Sequence, residues 1–294
     1  MEAFMEKNLF GFIGLGNMGE PMARNVAAKG CKLIVNDIAG TADRAPEGSI
    51  IAQSNDEVAR RAKVIALSLP TLEVNRAVIS EIAKASEPGT VIVDTCTIGI
   101  EAAQKNSEIL KQANIIYLDS PVSGLKFRAE EGTLVSMVSG PPNGVERARA
   151  LIEGYSRALF HIGDEPGQGQ RMKLLNNAIC IASYVITAEA LSYGEAGGLE
   201  ISEMLEVVNE SSGQNFATKH LFPKYVATEK YDESGCEAHI VEKDIGLFVK
   251  GSQADQTPNN VITEAHNILA EFSLCDPLQD QMRIYPFVKN YKMA

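Results

Sequence analysis

The chain has 294 residues, of which 45% are hydrophobic and 22% are charged, and its formal net charge is −11. This composition is typical of a globular protein of about two domains and excludes a disordered chain. An acidic chain repels phosphate backbones and anionic lipids, so we expect neither a nucleic-acid nor a membrane partner. An anionic substrate would need local positive charge at its site.

The cysteines and histidines indicate a reduced compartment and a protein without metal. The five cysteines are scattered and form no CxxC pair, and the four histidines show no ligand spacing. The first residues, MEAFMEKNLF, lack the basic start and long apolar segment of a signal peptide. We therefore expect a cytoplasmic protein with free thiols.

The hydrophobic pattern of the sequence differs between the two halves of the chain. From Leu9 to about Gly163, short apolar runs such as KLIVND, KVIALSLP and TVIVDT alternate with amphipathic stretches, which predicts a parallel α/β sheet of the doubly wound Rossmann type. After GDEPGQGQ, from Met172 onward, helical patterns dominate. We predict a dinucleotide-binding domain over residues 1–163 and an all-helical substrate and dimerisation domain over 164–294, with the substrate between them.

A long helix should begin near Gln168. Its run KLLNNAICIASYVITAEALSYGEA is apolar on most faces, but polar residues interrupt it too often for a membrane span. Such a helix needs covering by a neighbour, which favours a homodimer or a homotetramer.

The first chemical motif lies between a predicted strand and a predicted helix. Glycines there permit a tight turn, leave room for a pyrophosphate and let the helix pack on the strand, while amides at the helix start bind phosphate. This pattern predicts a dinucleotide site formed by Gly14, Leu15, Gly16, Asn17, Met18 and Gly19.

An acid follows at the end of the next predicted strand. Asp37 would accept hydrogen bonds from the adenosine ribose and repel a 2′-phosphate, which favours NAD over NADP. The alternative is that Asp37 caps the following turn. Asn36, beside it, could support a different cofactor arrangement.

Three further blocks follow in order: DSPVSG from Asp119, GQGQRMKLLNN from Gly167, and KDIGL from Lys243. Lys173 and Asn177 stand four residues apart and so share one helix face, with Asn176 beside them. An alcohol oxidation needs a base for the hydroxyl proton, and a lysine can act as that base.

Together the four blocks resemble the β-hydroxyacid dehydrogenase family, which includes 3-hydroxyisobutyrate dehydrogenases. The resemblance implies that Lys173 is the acid/base and that Asn177 orients the substrate, with Asn176 beside it. It also implies that Ser123 and Gly124 bind the substrate carboxylate. Contacts to the cofactor are assigned to strand-end and neighbouring residues, namely Leu69, Pro70, Val74 and Thr97, and to Lys243, which lies near both nicotinamide and substrate.

The sequence departs from the family pattern at Leu125, where a second glycine commonly follows Ser-Gly. We assign Leu125 to the substrate pocket, where its side chain could reshape the carboxylate site. Lys126 or Arg128 could supply positive charge there. The alternative is that both are solvated residues of a basic turn.

These observations predict an NAD-dependent oxidoreductase acting on a small 3-hydroxy acid, similar to 3-hydroxyisobutyrate, or on its semialdehyde. One alternative is an NADPH-dependent semialdehyde, glyoxylate or imine reductase. Another, from a different class, is a non-catalytic NAD(P)-binding redox sensor. No role is assigned to the C-terminal tail from about Gln253.

Overall fold

The computed structural model describes residues 9–291. The chain divides after Lys173 into two compact units. The domain boundary predicted near Gly163 lies earlier in the chain and stays a prediction. The predicted lack of a signal peptide rests mostly on residues 1–8, which lie outside the described residues.

Within residues 9–173, nine strands form one sheet. Apolar sequences such as VIAL and VIVD form fully buried strands, as expected where helices cover both faces of a sheet. The strands are Leu9–Ile13 (β1), Lys32–Asn36 (β2), Ile50–Ile51 (β3), Val64–Leu67 (β4), Val91–Asp94 (β5), Ile116–Asp119 (β6), Val122–Ser123 (β7), Leu134–Ser139 (β8) and Ser156–Gly163 (β9).

The strand order is β3-β2-β1-β4-β5-β6-β8-β7, with β9 also paired to β8. The pairs from β3 to β6 are parallel, whereas β8 runs antiparallel to β6 and β7. The direction of winding reverses between β1 and β4. This order confirms the predicted doubly wound Rossmann sheet, and in such sheets ligands bind outside the carboxyl ends of the strands at the reversal.

Helices alternate with these strands. Two of them begin at side-chain caps, since Ser54 accepts a hydrogen bond from the Glu57 amide and Thr71 accepts one from the Val74 amide. The helices are Gly19–Ala28 (α1), Asn55–Arg61 (α2), Leu72–Ala85 (α3), Ile100–Gln112 (α4), Leu125–Glu130 (α5) and Pro142–Tyr155 (α6).

Two apolar clusters lie on opposite faces of the sheet. Successive side chains of a strand point to opposite faces. On β4, Ile65 and Leu67 accordingly belong to one cluster, whereas Val64 and Ala66 belong to the other. The two-layer core therefore follows from continuous apolar strands rather than from polar alternation.

The second unit is helical, as predicted. The helix Gln168–Ala196 (α7) begins before the division and continues beyond it. It is followed by Ile201–Asn209 (α8), a π-helix at Ala217–Val226, Ala238–Ala254 (α9), Asn260–Cys275 (α10), a 3-10 turn at Gln281–Arg283 and Ile284–Lys289 (α11).

Helix α7 could cross a membrane by length and composition alone, with a mean hydropathy of 1.4 over its most apolar window. However, 56% of that window is buried inside the protein, a feature that core helices of soluble proteins share. The expected absence of a membrane partner stays a prediction.

The C-terminal tail holds the segment that precedes α9. The Asp280 carboxylate accepts hydrogen bonds from the Ser234 amide (2.8 Å), the Ser234 hydroxyl (2.6 Å) and the Gly235 amide (3.0 Å). The Ala238 amide, at the start of α9, donates to the Gln279 carbonyl at 2.8 Å. The tail thus fixes the beginning of the helix that carries the KDIGL block.

Phe12→Ala should lower the unfolding free energy of the first unit by ~3–5 kcal/mol, because Phe12 is fully buried on β1. Ile38→Ala is the matched control: this side chain is fully exposed, so a change within ~0.5 kcal/mol is expected. Urea unfolding of the cofactor-free protein measures both. Equal losses would contradict the position of β1 in the core.

Candidate active site

The glycine-rich motif connects β1 to α1 and leaves no space for a side chain at its first and last glycines. Gly14 has φ +90°, and a Cβ on it would lie 2.1 Å from the Ser68 carbonyl oxygen. A Cβ on Gly19 would lie 2.0 Å from the Gly14 carbonyl oxygen. By contrast, a Cβ on Gly16 would meet nothing within 4 Å. The loop is therefore closed toward the protein and open at Gly16.

These features fit a dinucleotide pyrophosphate. The open side at Gly16 allows a phosphate to approach the backbone closely, and the N-cap residue Met18 makes no side-chain hydrogen bond to α1. A phosphate at this helix start would be stabilised by amide groups and the helix dipole. Leu15 is buried, whereas Asn17 is exposed beside Gly16.

Asp37 lies next to this loop, and its assignment to the ribose site stays a prediction. Its Oδ2 accepts a hydrogen bond from the Leu15 amide at 2.6 Å, and its Oδ1 accepts one from the Ala39 amide at 2.7 Å. The Asn36 side chain instead donates to the Asn55 Oδ1 at 2.8 Å. Asp37 thus couples the end of β2 to the glycine loop, while Asn36 holds the start of α2.

The other predicted cofactor residues of the first unit lie after the carboxyl ends of β4 and β5. Leu69 follows β4, and its amide donates to the Cys96 Sγ at 3.1 Å, which joins the two loops. Pro70 and Val74 are exposed, and Thr97 is half-buried. The loop after β4 borders the reversal point between β1 and β4, where a cofactor is expected, and the loop after β5 lies next to it.

A buried carboxylate holds the first turn of α7 against the sheet. The Asp119 Oδ2 accepts hydrogen bonds from the Gln170 amide at 2.8 Å and the Ser139 hydroxyl at 3.2 Å. Its Oδ1 accepts a third from the Gln170 side-chain amide at 2.7 Å. A Cβ on Gly169 would lie 2.8 Å from the Asp119 carbonyl oxygen, so glycine is required for this close approach.

Gln170 also connects the helix to the loop after β5. Its Oε1 accepts hydrogen bonds from the Ile98 and Gly99 amides at 2.9 and 3.0 Å, and its Nε2 donates to the Cys96 carbonyl at 2.9 Å. Because Lys173 lies one helical turn beyond Gln170, these bonds hold its helix beside the loop that contains Thr97. The roles of Asp119 and Gln170 were not evident from the sequence, although both residues lie in the quoted motifs.

Asp119 occupies an unusual electrostatic position. Burial raises the pKa of Asp119 to about 7, and the charge of Asp94, its partner on β5, acts in the same direction. Hydrogen bonds from Gln170 and Ser139 oppose this shift because they favour the ionised form.

The predicted carboxylate-binding turn has a strained backbone. Ser123 ends β7, and Gly124 follows with φ +148°. Leu125 then adopts φ +59°, a left-handed conformation that costs a residue with a Cβ about 1–2 kcal/mol. The backbone at Leu125 thus has a glycine-like conformation but carries a leucine side chain.

The two basic residues near this turn have different surroundings. Lys126 forms an ion pair with Glu130 at 3.6 Å, one turn along α5. The Arg128 guanidinium lies over the Phe127 ring, 5.8 Å from its centroid. The charge of Lys126 is therefore partly compensated within α5.

In the second unit, the helix α7 residue Asn177 contacts the KDIGL block. Its Nδ2 donates to the Asp244 Oδ2 at 2.7 Å, while its Oδ1 accepts from the Asn176 side chain at 3.1 Å. Lys243 forms an ion pair with Asp244 at 3.1 Å. Asp244 therefore orients Asn177, a partner that the sequence did not reveal.

Comparison with known proteins shows the family of the chain. Residues 9–163 match a family model described as the NAD binding domain of 6-phosphogluconate dehydrogenase. Residues 167–285 match one described as NAD-binding of NADP-dependent 3-hydroxyisobutyrate dehydrogenase. The chain belongs to the β-hydroxyacid dehydrogenase family. This confirms the resemblance that the four motifs indicated.

Members of the family from several bacteria are similar over most of their length. A 3-hydroxyisobutyrate dehydrogenase of Pseudomonas aeruginosa is 31% identical over 297 residues, covering 96% of this chain and 97% of the relative. An NAD-dependent L-serine dehydrogenase of the same species is 34% identical and covers 83% and 85%. A 2-(hydroxymethyl)glutarate dehydrogenase of Eubacterium barkeri is 30% identical and covers 86% of each chain.

A solved structure supports the same membership in the β-hydroxyacid dehydrogenase family. The 3-hydroxyisobutyrate dehydrogenase of Mycobacterium tuberculosis, studied with L-serine, aligns with a TM-score of 0.86 and 27% identity, covering 95% of this chain and 98% of the other. The protein is thus an NAD(P)-dependent hydroxyacid dehydrogenase, as the sequence predicted for its enzyme class.

Asp119→Asn should change how the stability of the first unit depends on pH. In the folded state Asp119 binds its proton up to about pH 7, whereas an unfolded aspartate releases it near pH ~3.9. The Asp119 contribution to the unfolding free energy therefore falls as the pH rises from about 4 to about 7, and asparagine removes that slope.

Urea unfolding of both proteins at several pH values measures this effect. The difference in unfolding free energy, wild type minus variant, should decrease across the pH window. Asp43→Asn, which changes an exposed aspartate, is the control. A difference that stays constant from pH 4 to 7 would refute the assignment to Asp119.

Proposed function

We propose that the protein oxidises a small 3-hydroxy acid, similar to 3-hydroxyisobutyrate, with NAD, or reduces the matching semialdehyde. The observation that carries this proposal is the anchored first turn of α7. Gln170 is bonded to Asp119 at the end of β6 and to the loop after β5, and Lys173 follows one turn later. A lysine held beside the carboxyl edge of the sheet is suited to proton transfer at a cofactor site.

The chemistry needs one proton acceptor from the protein. A nicotinamide cofactor held at the glycine loop by Gly14, Gly16 and Gly19 would supply the hydride acceptor for the hydroxyl-bearing carbon of the substrate. Lys173 Nζ takes the hydroxyl proton as the C–H bond breaks and the C=O bond forms; in the reverse direction it returns that proton to the new alcohol. Two properties of Lys173 contribute to the rate: its basicity and its fixed position on the helix.

Asn177 is proposed to orient the substrate oxygen. An asparagine amide has two N–H donors, and one of them is used by Asp244. The contact from Asn176 to the Asn177 Oδ1 fixes the other end of the amide. Its second N–H can then point in a single direction. Lys243 is proposed to add positive charge near the substrate and the nicotinamide.

The substrate class is supported by the relatives. 3-Hydroxyisobutyrate, L-serine and 2-(hydroxymethyl)glutarate, the compounds in their names, share a primary alcohol two carbons from a carboxylate. They differ in the substituent on the carbon between these groups. We propose that Ser123 and Gly124 bind the shared carboxylate and that Leu125 limits the variable substituent.

The cofactor is proposed to be NAD. The support is Asp37, whose carboxylate stands at the carboxyl end of β2 beside the glycine loop, where a 2′-phosphate would be repelled. A cytoplasmic location remains the expectation from the reduced cysteines.

Lys173→Ala should bind NADH as the wild type does but lose turnover by at least about 10²-fold, because general-base catalysis typically contributes 10²–10⁴-fold. The assay follows NAD reduction with 3-hydroxyisobutyrate, L-serine, 2-(hydroxymethyl)glutarate and glycerate, and nicotinamide fluorescence measures binding. Lys105→Ala, which changes an exposed lysine of α4, is the control. Unchanged turnover would remove Lys173 from the mechanism, and a wild type inactive with all four acids would refute the substrate class.

Leu125→Gly should raise kcat/KM for 2-(hydroxymethyl)glutarate relative to 3-hydroxyisobutyrate by about tenfold or more, since space for one methylene group in an apolar pocket is worth at least about tenfold. It should also raise the unfolding free energy by up to ~1 kcal/mol, because glycine adopts the positive φ without strain. Leu125→Ala is the matched control that keeps the strain but removes most of the side chain. If neither variant changes the ratio of kcat/KM values, Leu125 does not limit the substrate.

Self-association is proposed to cover an exposed apolar stripe on α7. Leu175, Ile179, Ile186 and Tyr193 are 45%, 66%, 52% and 85% exposed and recur at helical spacing. We expect a homodimer or a homotetramer whose copies bury this stripe. An exposed row of this kind on an otherwise acidic surface marks an interaction site.

Ile179→Glu combined with Ile186→Glu should shift the protein toward the monomer, as measured by sedimentation or light scattering. Charges placed in an apolar interface cost several kcal/mol in association. The double variant Glu203→Gln and Glu206→Gln, at exposed acidic positions of α8, serves as a control. A wild type that is monomeric at micromolar concentration would refute the proposal.

A further inference from the structure

The loop after β2 folds an arginine back onto the proposed ribose-binding carboxylate. Arg44 Nη1 lies 3.5 Å from the Asp37 Oδ1. The Thr41 hydroxyl accepts a hydrogen bond from the Asp37 amide at 2.8 Å, and the Arg44 amide donates to the Thr41 carbonyl at 3.1 Å. This turn brings a guanidinium from further along the chain back to the end of β2.

The two side chains differ in accessibility. The Asp37 side chain is 9% exposed and uses both oxygens for backbone amides, whereas the Arg44 side chain is 38% exposed. Arg44 is also the single basic residue of the sequence between Asp37 and Ser54. The end of β2 therefore presents one held carboxylate and one accessible guanidinium.

These groups have opposite preferences for the two nicotinamide cofactors. A carboxylate accepts hydrogen bonds from ribose hydroxyls and repels a 2′-phosphate. A guanidinium binds a phosphate through paired, charge-assisted hydrogen bonds. Because both groups are present, the preference for NAD(H) or NADP(H) depends on whether the Asp37 carboxylate is paired with the Arg44 guanidinium.

We propose that Arg44 is a second determinant of cofactor selectivity: Asp37 holds its guanidinium and so prevents it from binding the 2′-phosphate of NADP(H). The inference rests on the proposed NAD-linked function and adds a residue to it. Asp37 thus disfavours NADP(H) in two ways, by direct repulsion and by neutralising a nearby cation. Loss of Asp37 removes the repulsion and leaves Arg44 available to phosphate.

The test is a double-mutant cycle on cofactor binding, without substrate. Kd values for NADH and NADPH are measured by nicotinamide fluorescence, in a protein that has no tryptophan to interfere. Asp37→Ser should tighten NADPH binding by about tenfold or more, the effect of one charge-assisted hydrogen bond. Adding Arg44→Gln should remove most of that gain and leave NADH binding within about twofold.

Arg44→Gln alone provides an independent test. It changes an accessible side chain and preserves the hydrogen bonds that Asp37 accepts from backbone amides. It should weaken NADPH binding more than NADH binding, because the carboxylate is then uncompensated. Arg147→Gln is the matched control: its guanidinium donates to the Gly89 carbonyl, before the amino end of β5, far from the carboxyl ends where the cofactor is expected. That variant should change neither Kd.

The outcomes separate the inference from the function on which it rests. If Asp37→Ser and the double variant bind NADPH equally, or if Arg44→Gln leaves the ratio of Kd values unchanged, Arg44 has no role in selectivity while the NAD-linked function stands. An equal weakening of both cofactors would assign Arg44 to the adenine rather than to the 2′-position. A wild type that binds neither cofactor would overturn both proposals.

Discussion

The carboxylate of Asp119 is the constraint on which the candidate site depends. A buried carboxylate is costly unless donors surround it, and these donors come from two separate segments, Ser139 on β8 and Gln170 on α7. The group is therefore fully satisfied only when β6, β8 and the first turn of α7 are assembled together. Removal of either donor residue would leave the buried carboxylate less compensated. The first turn of α7, which leads to Lys173, is therefore held in place by this cluster only when strands β6 and β8 have formed.

The same cluster connects proton chemistry to the cofactor edge. The Gln170 side chain uses both ends of its amide, one toward Asp119 and one toward the amides of Ile98 and Gly99. Those amides belong to the loop that carries Thr97, next to the reversal point where the glycine loop is open at Gly16. An amide that is fully hydrogen-bonded inside the protein has one orientation. The lysine helix and the cofactor loop are therefore fixed relative to each other by chemistry rather than by packing alone.

Local patterns in the sequence were sufficient for the fold class, the glycine loop and the start of α7, because each depends on residues close together in the chain. Contacts between distant residues could not be predicted in this way. Nothing near Asn177 indicates that Asp244 is its partner, and nothing near Asp37 indicates that a turn returns Arg44 to it. The positive φ of Leu125 was equally hidden, since the residue type argues against it. A polar glutamine next to a glycine in a buried helix start was the one signal that could have led to Asp119.

Electrostatics pose a final problem, because a chain of net charge −11 has to bind anions. Three basic side chains near the proposed sites have acidic partners: Arg44 with Asp37, Lys126 with Glu130 and Lys243 with Asp244. The two opposite charges of each pair nearly cancel at a distance, so a ligand experiences a strong field from the pair only within a few ångströms. Attraction for an anion then depends on close geometry and on backbone amides, such as those at the start of α1, rather than on a long-range field. Selectivity between similar anions follows from the same arrangement. An anionic ligand can bind one of these basic side chains only where it displaces the paired carboxylate or binds the side chain together with it.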